Sequence, residues 1–569
     1  MKCKKVAAIL LTAAMTASVL AGCGGSGDSG SSGGGTADSG NETVDAGGGA
    51  SDGEVTDFSM FITMPGSEIN SDNEIAQMIA DKYGVKIKET WLTGQTAAEA
   101  TGTLIASGEY PDFLDTDDMS QLVDAEALIP LDDYIDQYPE FKEKWFTEDE
   151  WEKFRQPDGH IYWINPFNNT KGESTTTTHN DEAFWIQVRV LEWAGYPKIE
   201  TMDDYFKVIE DYMAANPTME DGTANLAYTI LCEDWRYFCL ENAGQFLAGH
   251  PNDGSVLVDS STLTVGDYNT SEDTKKYLQK LNEEYNKGFV DPESFTQTYD
   301  EYIAKLSTGR VLGMIDQWWD FAFTVNDVFK QQGLDAKGCN YVPLGLTTEP
   351  GMENRWHTYD DTVNQASGLA ISVDCKDPDK AFKFIVDCAM DQELHDLRFW
   401  GVEGVDYEVD ENGLFYRTDE QRLNWADTSY QAAHRCQYSY FPQWGGTSDD
   451  GINANKPEEQ PSEFQQDMAQ PLKDCLAAYG ADNYVDMIGS VVETNGPWFP
   501  MYSFSNNLTT ETPGGVAWAK MGEVKHEWLP KVVMASDFES TWNDYMDVYA
   551  ECKPEDFLSE MQAFLDAFK

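Results

Sequence analysis

The stretch DFSMFITMPGSEINSDNEIAQMIADKYGVKIKETWLTGQTAAEATGTLIASGEYPDFL, Asp57 to Leu114, decides the fold class. Asp57 to Thr63 is rich in Phe, Met and Ile and reads as a strand. Ser71 and Glu74 have the spacing of a capping box, and Ile75, Met78, Ile79 and Tyr83 then recur at helical spacing until Gly84. Val85, Ile87 and Glu89 begin a second strand that ends near Trp91. Ala97 to Ile105 reads as a second helix, stopped at Ser107-Gly108, and Phe113-Leu114 as a third strand. A β-α-β-α-β run implies a parallel sheet with right-handed crossovers, hence an α/β fold. Such sheets bind ligands beyond the carboxyl ends of their strands. The loops Met64 to Ser67, Trp91 to Gln95 and Asp115 to Asp118 are therefore expected to face a ligand, with Trp91 and Asp117 as candidate contacts.

Upstream of this run the chain reads as address and tether. Lys2, Lys4 and Lys5 precede an apolar or small run from Val6 to Leu20, closed by Leu20-Ala21-Gly22-Cys23. A basic start, a short apolar region and small residues before a cut site are the marks of a secretory signal, residues 1–22. The run is short for a membrane span, which needs about 20 residues. A cysteine directly after the small residues resembles a bacterial lipobox, so Cys23 is the expected lipidation site and anchors the chain in the membrane. Two acyl chains hold where one binds only marginally. Gly24 to Thr56 contains 12 Gly, 6 Ser and 6 acidic residues with no Lys or Arg, the composition of a flexible, self-repelling linker over 23–56. The folded body is then 57–569.

Downstream, Thr201 and Asp204 cap a helix bearing Tyr205, Phe206, Ile209, Tyr212 and Met213 on one face. Ser271 caps another with Leu278, Leu281 and Tyr285, and Asp377-Pro378 opens a third with Ala381, Phe384, Ile385 and Cys388. The whole chain has 569 residues, 38 Lys+Arg against 100 Asp+Glu, and a formal net charge of −62. That balance argues against a nucleic-acid partner, which needs a basic face, and against binding anionic lipid through the folded surface. With 17 Trp, 27 Tyr and 28 Phe there is ample material for a core, and the length suits two lobes.

Several stretches, in their order and spacing, resemble the extracellular solute-binding proteins (family 1) of carbohydrate ABC transporters, in the large bacterial lipoprotein branch. They include SGEYPDFL (Ser107 to Leu114), ALIPLDDYIDQYPE (Ala127 to Glu140), DGHIYWINP (Asp158 to Pro166) and YNKGFVDPESF (Tyr285 to Phe295). STGRVLGMIDQWWD (Ser307 to Asp320), GLAISVDCKDPDKAFKFIVD (Gly368 to Asp387), FWGVEGVDYEVDENG (Phe399 to Gly413) and FESTWNDY (Phe538 to Tyr545) continue the pattern. The resemblance implies a two-lobed periplasmic-binding-protein-like fold of the class II type, with a hinge and an interlobe ligand cleft. Lobe one would take about 57–116 and 346–399, and lobe two about 117–345 and 400–569. The implied protein is a monomeric, lipid-anchored receptor on the outer face of the bacterial cytoplasmic membrane, at a Gram-positive cell surface. It would capture an oligosaccharide and deliver it to ABC permease subunits, with no enzymatic activity and no cofactor. Many relatives carry a calcium loop near the end of the Thr201 helix. Here Asn216 to Gly222 lacks the alternating oxygen ligands such a loop needs, so no metal is expected. Leu231 to His250 does not align with the family.

A sugar site wants flat aromatics for its C–H faces and polar groups for its hydroxyls. Trp318 and Trp319 directly follow the apolar strand Val311 to Ile315, and in maltodextrin-binding relatives the matching tryptophans stack on sugar. In an extended chain one of the two would face the ligand and the other the core. Asp316 beside them is a candidate acceptor of hydroxyl protons. Arg355 and Trp356, ahead of the Gly368 to Ser372 strand, and Trp235, Tyr440, Trp444 and Trp498, in irregular aromatic stretches, complete the candidates. No H-E-x-x-H, P-loop, zinc spacing or nucleophile elbow in a suitable context occurs. A glycosidase needs only two suitably placed carboxylates, which keeps a surface-tethered glycoside hydrolase or lyase as the alternative, beside an adhesion or signalling role on the same fold. Eight cysteines remain after Cys3 and Cys23. They are expected to be mostly free thiols, although Cys232 and Cys239 are near enough in sequence to pair.

Overall fold

The computed structural model describes residues 55–568, apart from 67, 68, 71, 168, 252, 253, 358–362, 364, 366, 491–495, 497 and 507. The signal segment 1–22, Cys23, the linker up to residue 54, and Ser71 of the expected capping box lie outside the described residues.

The opening run folds as its periodicity requires. Strand β1 (Thr56–Pro65) leads into helix α1 (Glu74–Tyr83), β2 (Val85–Leu92), α2 (Ala97–Ser107) and β3 (Phe113–Asp115). Asn73 caps α1, its side chain accepting from the Ala76 N–H, and Thr96 and Glu99 form a full capping box on α2. The chain continues through β4 (Trp163–Ile164), β5 (Asn169–Lys171), β6 (Glu182–Gln187), β7 (Leu226–Thr229) and a β8–β9 hairpin (Leu257–Asp259, Thr264–Gly266). It then forms β10 (Val311–Gln317), β11 (Tyr341–Leu344), β12 (Leu369–Ile371), a β13–β14 hairpin (Glu408–Val409, Phe415–Tyr416) and β15 (Trp444–Gly446).

Two larger sheets result, one ordered β2-β1-β3-β12-β4 and the other β11-β6-β10-β7, beside the two-stranded pairs β8-β9, β13-β14 and β15-β5. In the first, β1 runs parallel to β2 and β3, while β12 enters antiparallel between β3 and β4. In the second, β10 is antiparallel to β6 and parallel to β7. Each larger sheet carries its own hydrophobic core. The fold is α/β and two-lobed, of the periplasmic-binding-protein-like kind.

The division of the chain differs from the expected one. Met119 to Ile164, expected in lobe two, pack into the first core, because β4 extends the first sheet beside β12 and Phe141 packs edge-on to Phe382 at 6.0 Å. Cys436, Tyr438, Phe441 and Trp444 belong to the first core as well. The chain therefore passes from the first core to the second between Ile164 and Ala183, returns between Trp356 and Val363, and crosses once more between Trp444 and Leu472. Two of these passages run side by side, with β15 parallel to β5 (Trp444 opposite Asn169, Gly446 opposite Lys171).

Candidate functional site

The carboxyl ends of β1, β2 and β3 form one wall. Trp91, the last residue but one of β2, lays its indole over Gly66, where a Cβ would lie 2.3 Å from the ring, so only glycine fits without moving it. Tyr440 packs edge-on against Trp91 with ring centroids 5.3 Å apart, and against Phe167 at 5.1 Å. Asp115, the last residue of β3, is 6% exposed; burial pushes its carboxyl up to about 7, with a further contribution from Asp117. Asp117 stays accessible, accepts from Thr101 Oγ1 at 3.0 Å, and has its pKa raised, chiefly by burial and further by the charge of Asp234. Glu89, in the inward row of β2, is pushed up to about 7 by burial, against the opposing pull of Trp91 and then Arg398.

The facing wall comes from the second core. A short 3₁₀ turn, Asp234–Tyr237, begins with Asp234 at φ +55°, the left-handed region that aspartate tolerates better than most residues. That conformation sends its carboxylate across to the start of α2, where it accepts from the Ala97 N–H at 3.0 Å. Trp235 packs against the small cluster of Leu92, Ala97 and Ala100 and stacks on Trp319, 5.9 Å between centroids at 15°. The Arg236 guanidinium lies between the rings of Trp235 and Tyr299, 4.3 Å from each, and its Nε donates to both Asp320 oxygens at 2.9 and 3.0 Å. Two buried donors in this wall, Trp235 Nε1 and Arg236 Nη2, have no hydrogen-bond partner among the described residues. Burial first, then Asp115, raise the Tyr440 hydroxyl pKa well above the usual value, while Arg236 lowers it.

Of the residues expected at a site, Trp91, Asp117, Tyr440, Trp235 and Trp319 come together here. Trp318 starts the helix Trp318–Gln332, half-buried, edge-on to Phe323 at 4.9 Å. The two tryptophans are thus helical and about 100° apart, not opposed as in an extended chain. The strand ends one residue earlier, at Gln317. Asp316 does not reach the opening. It is fully buried, accepts from Tyr302 Oη and the Gln317 N–H at 2.7 Å each, and burial together with Asp320 raises its pKa well above the carboxylate range. Trp356 is a core residue, 0% exposed, stacked on Phe246 at 4.3 Å and donating to the Leu346 carbonyl. Trp444 is one too, edge-on to Trp145 at 4.9 Å and donating to the Ala389 carbonyl. Arg355 is half-buried beside His250, whose pKa it helps to lower after burial, and Trp498 lies edge-on to Phe568 on the second core. Asp115, Asp234, Arg236, Tyr299 and Asp320 were not singled out from the sequence. The only signals for them were the strand-end loop at Asp115 and the departure of Leu231 to His250 from the family pattern.

Two further expectations meet the structure. Asn216 to Gly222 makes a tight turn, Gly222 N–H donating to the Met219 carbonyl and Thr223 N–H to Asp221. The eight described cysteines are all buried free thiols, Cys232 and Cys239 included. Elsewhere, His179, Asp181 and His357 bring their donor atoms within 4.8 Å of one another. Burial holds His179 neutral, down to about 3, and His357 down to about 4.

A family model of the bacterial extracellular solute-binding proteins matches residues 74–397. The chain belongs to that family. The solute-binding chain is 28% identical over 249 residues to the fructooligosaccharide ABC transporter substrate-binding protein FusA of Streptococcus pneumoniae. That match takes in 41% of this chain and 44% of FusA, so it spans less than half of the curated relative. Across whole structures, FusA in complex with kestose superposes with a TM-score of 0.61 at 18% identity, covering 90% of this chain and 99% of that one. An HMO-binding, ABC-transporter-associated solute-binding protein from Bifidobacterium longum infantis gives 0.59 at 14% identity, covering 91% and 100%. At such identities the likeness is one of fold. Among the described residues no helix is long and apolar enough to cross a membrane.

Proposed function

We propose that this solute-binding protein captures an oligosaccharide between its two lobes and hands it to the permease subunits of an ABC importer. The observation that carries the reading is the pair of facing walls: Trp91, Asp117 and Tyr440 from one core, Trp235, Arg236 and Trp319 from the other. Flat rings suit the C–H faces of sugars, and the unpartnered Trp235 and Arg236 donors suit ring and hydroxyl oxygens. FusA, the curated relative, is named for fructooligosaccharides, which supports the carbohydrate class. Cys23 is the proposed lipid anchor, holding a monomer on the outer face of the cytoplasmic membrane through the 23–56 linker. Ligand would shift an open-to-closed equilibrium, and the closed form would dock on the permeases.

The test is a thermal-shift screen of the purified chain against neutral oligosaccharides, with product analysis of every hit. Ligand at 100 times its Kd adds about 2.7 kcal/mol, so a binder raises Tm and is recovered intact. Asp115, with its pKa pushed up to about 7 beside Asp117, is the observation that keeps the hydrolase reading open, and cleaved glycan would decide for it. A panel with no shift at all would remove the carbohydrate assignment.

A further inference from the structure

We infer that His179, His357 and Asp181 form a binding site for one divalent transition-metal ion of the zinc class, set where the chain enters and leaves the second core. The three residues are 178 positions apart at their extremes, and both histidines are buried, at 0% and 6% exposure, with Asp181 half-buried. The inference is independent of the carbohydrate reading.

The tautomers carry the argument. His179 Nε2 lies 2.8 Å from the Glu182 carbonyl. A carbonyl only accepts, so Nε2 bears the proton and Nδ1 presents a lone pair. This is the arrangement metal-ligating histidines use, with the far nitrogen tied to a backbone oxygen that fixes the ring. That lone pair meets His357 Nδ1 at 3.0 Å. In the metal-free protein one proton lies between the two Nδ1 atoms, donated by His357. The ring of His357 is held from its own backbone, whose N–H donates to Ser490 Oγ at 2.8 Å.

The spacing is close to what an ion needs. Metal–nitrogen bonds of about 2.0–2.1 Å at the tetrahedral angle place neighbouring ligands about 3.3–3.4 Å apart. The two Nδ1 atoms stand at 3.0 Å and the Asp181 carboxylate within 4.8 Å of them, so a small parting of the rings and an inward turn of Asp181 complete the set. Two imidazoles and a carboxylate are a donor set that borderline metals such as zinc take, leaving a fourth position for water. On binding, the ion takes the place of the shared proton: two N–metal bonds form, the His357 Nδ1–H bond breaks, and by way of solvent a proton is placed on His357 Nε2, so both rings ligate as neutral imidazoles with no net release of protons. Calcium, which prefers six to eight oxygens, is a poor match.

The location gives the ion a role. His179 stands at the end of the first passage between cores, three residues before β6, and His357 at the start of the return passage, next to Trp356 of the second core. An ion joining them staples both passages to the same lobe.

The experiment uses the purified full chain with no glycan present. Co²⁺ is titrated as a spectroscopic probe, and Zn²⁺ is followed by calorimetry and by Tm. One ion per chain, a cobalt ligand-field band and a Zn²⁺-dependent rise in Tm reversed by chelator are expected. Separate His179→Gln and His357→Gln substitutions should each weaken the affinity by at least about tenfold, since even outer-sphere changes cost that much. Absence of the cobalt band and of the Tm rise would overturn the site. So would affinity unchanged in both variants, or an equal effect from Ca²⁺, either of which would place the ion on surface carboxylates. Where the histidine variants do not fold, Asp181→Asn decides: an affinity loss of about tenfold or more supports the site, and unchanged affinity removes it.

Discussion

The two walls of the cleft are built in different ways. The first wall is the common edge of parallel strands: β1, β2 and β3 all end there because right-handed crossovers return the chain to the same side each time. Trp91 and Asp115 occupy it by position alone. The second wall is a cluster of side chains from a 3₁₀ turn at Asp234–Tyr237, the Tyr299 helix and the Trp318 helix, held by one buried ion pair, Arg236 with Asp320. The first wall thus rests on backbone topology and the second on side-chain chemistry. The first should tolerate substitution in its fold and show it in binding, while the second should lose both.

The largest effect tests the second wall. Arg236→Ala leaves Asp320 buried and uncompensated, beside an Asp316 already raised by it, and should cost about 3–5 kcal/mol of stability in urea unfolding. A loss below 1 kcal/mol would show that the ion pair does not hold the wall. Next comes Glu89, behind the first wall. Its pKa rises from 4.5 unfolded to about 7 folded, so the folded state holds the extra proton between those values. Stability therefore falls as pH rises from about 4.5 to 7 and stays lower above it, by an amount of order 3 kcal/mol. Glu89→Gln should match the parent at pH 4.5 and exceed it at pH 8. A difference that does not grow with pH would mean that the carboxylate is paired in the folded state.

Smaller effects address recognition. Trp91→Ala and Trp235→Ala should each weaken glycan binding about tenfold, as the loss of one aromatic contact does, with the Trp235 change also lowering stability because that ring packs on Leu92, Ala97 and Trp319. Trp356→Ala should do the reverse, destabilising by about 3–5 kcal/mol with little direct change in glycan contacts. The smallest is Asp234→Ala. It removes the hydrogen bond to Ala97 and should cost about 1 kcal/mol of closure, read as a lower closed fraction in small-angle scattering with ligand. Asp234→Gly, which accepts φ +55° more readily, should lose less than Ala if the backbone geometry matters and the same if only the carboxylate does.

How legible these features were follows from the same contrast. The helix caps at Thr201, Ser271 and Asp377 are local, and each side chain accepts from an N–H three residues on, as its spacing indicates. The described cap of α1 is Asn73, whose side chain accepts from the Ala76 N–H, while Ser71, the expected one, lies outside the described residues. Trp318 and Trp319 were placed at the right strand end but in the wrong conformation, since an apolar run does not mark where a strand passes directly into a helix. Trp356 and Trp444 have no sequence feature that separates a buried indole from a cleft-lining one.

By itself, the sequence determined the β-α-β-α-β order, the α/β class, the edge on which Trp91 and Asp117 stand, and the family. The first three depend on period and handedness, which act over tens of residues, and the family on the likeness of whole stretches of sequence. Only the tertiary structure decided that 119–164 joins the first core, that Arg236 lies against Asp320, that Asp234 reaches Ala97, and that His179 meets His357. Those contacts join segments whose separation along the chain carries no local signal. They form only once two sheets have each buried a core and the chain has passed between them.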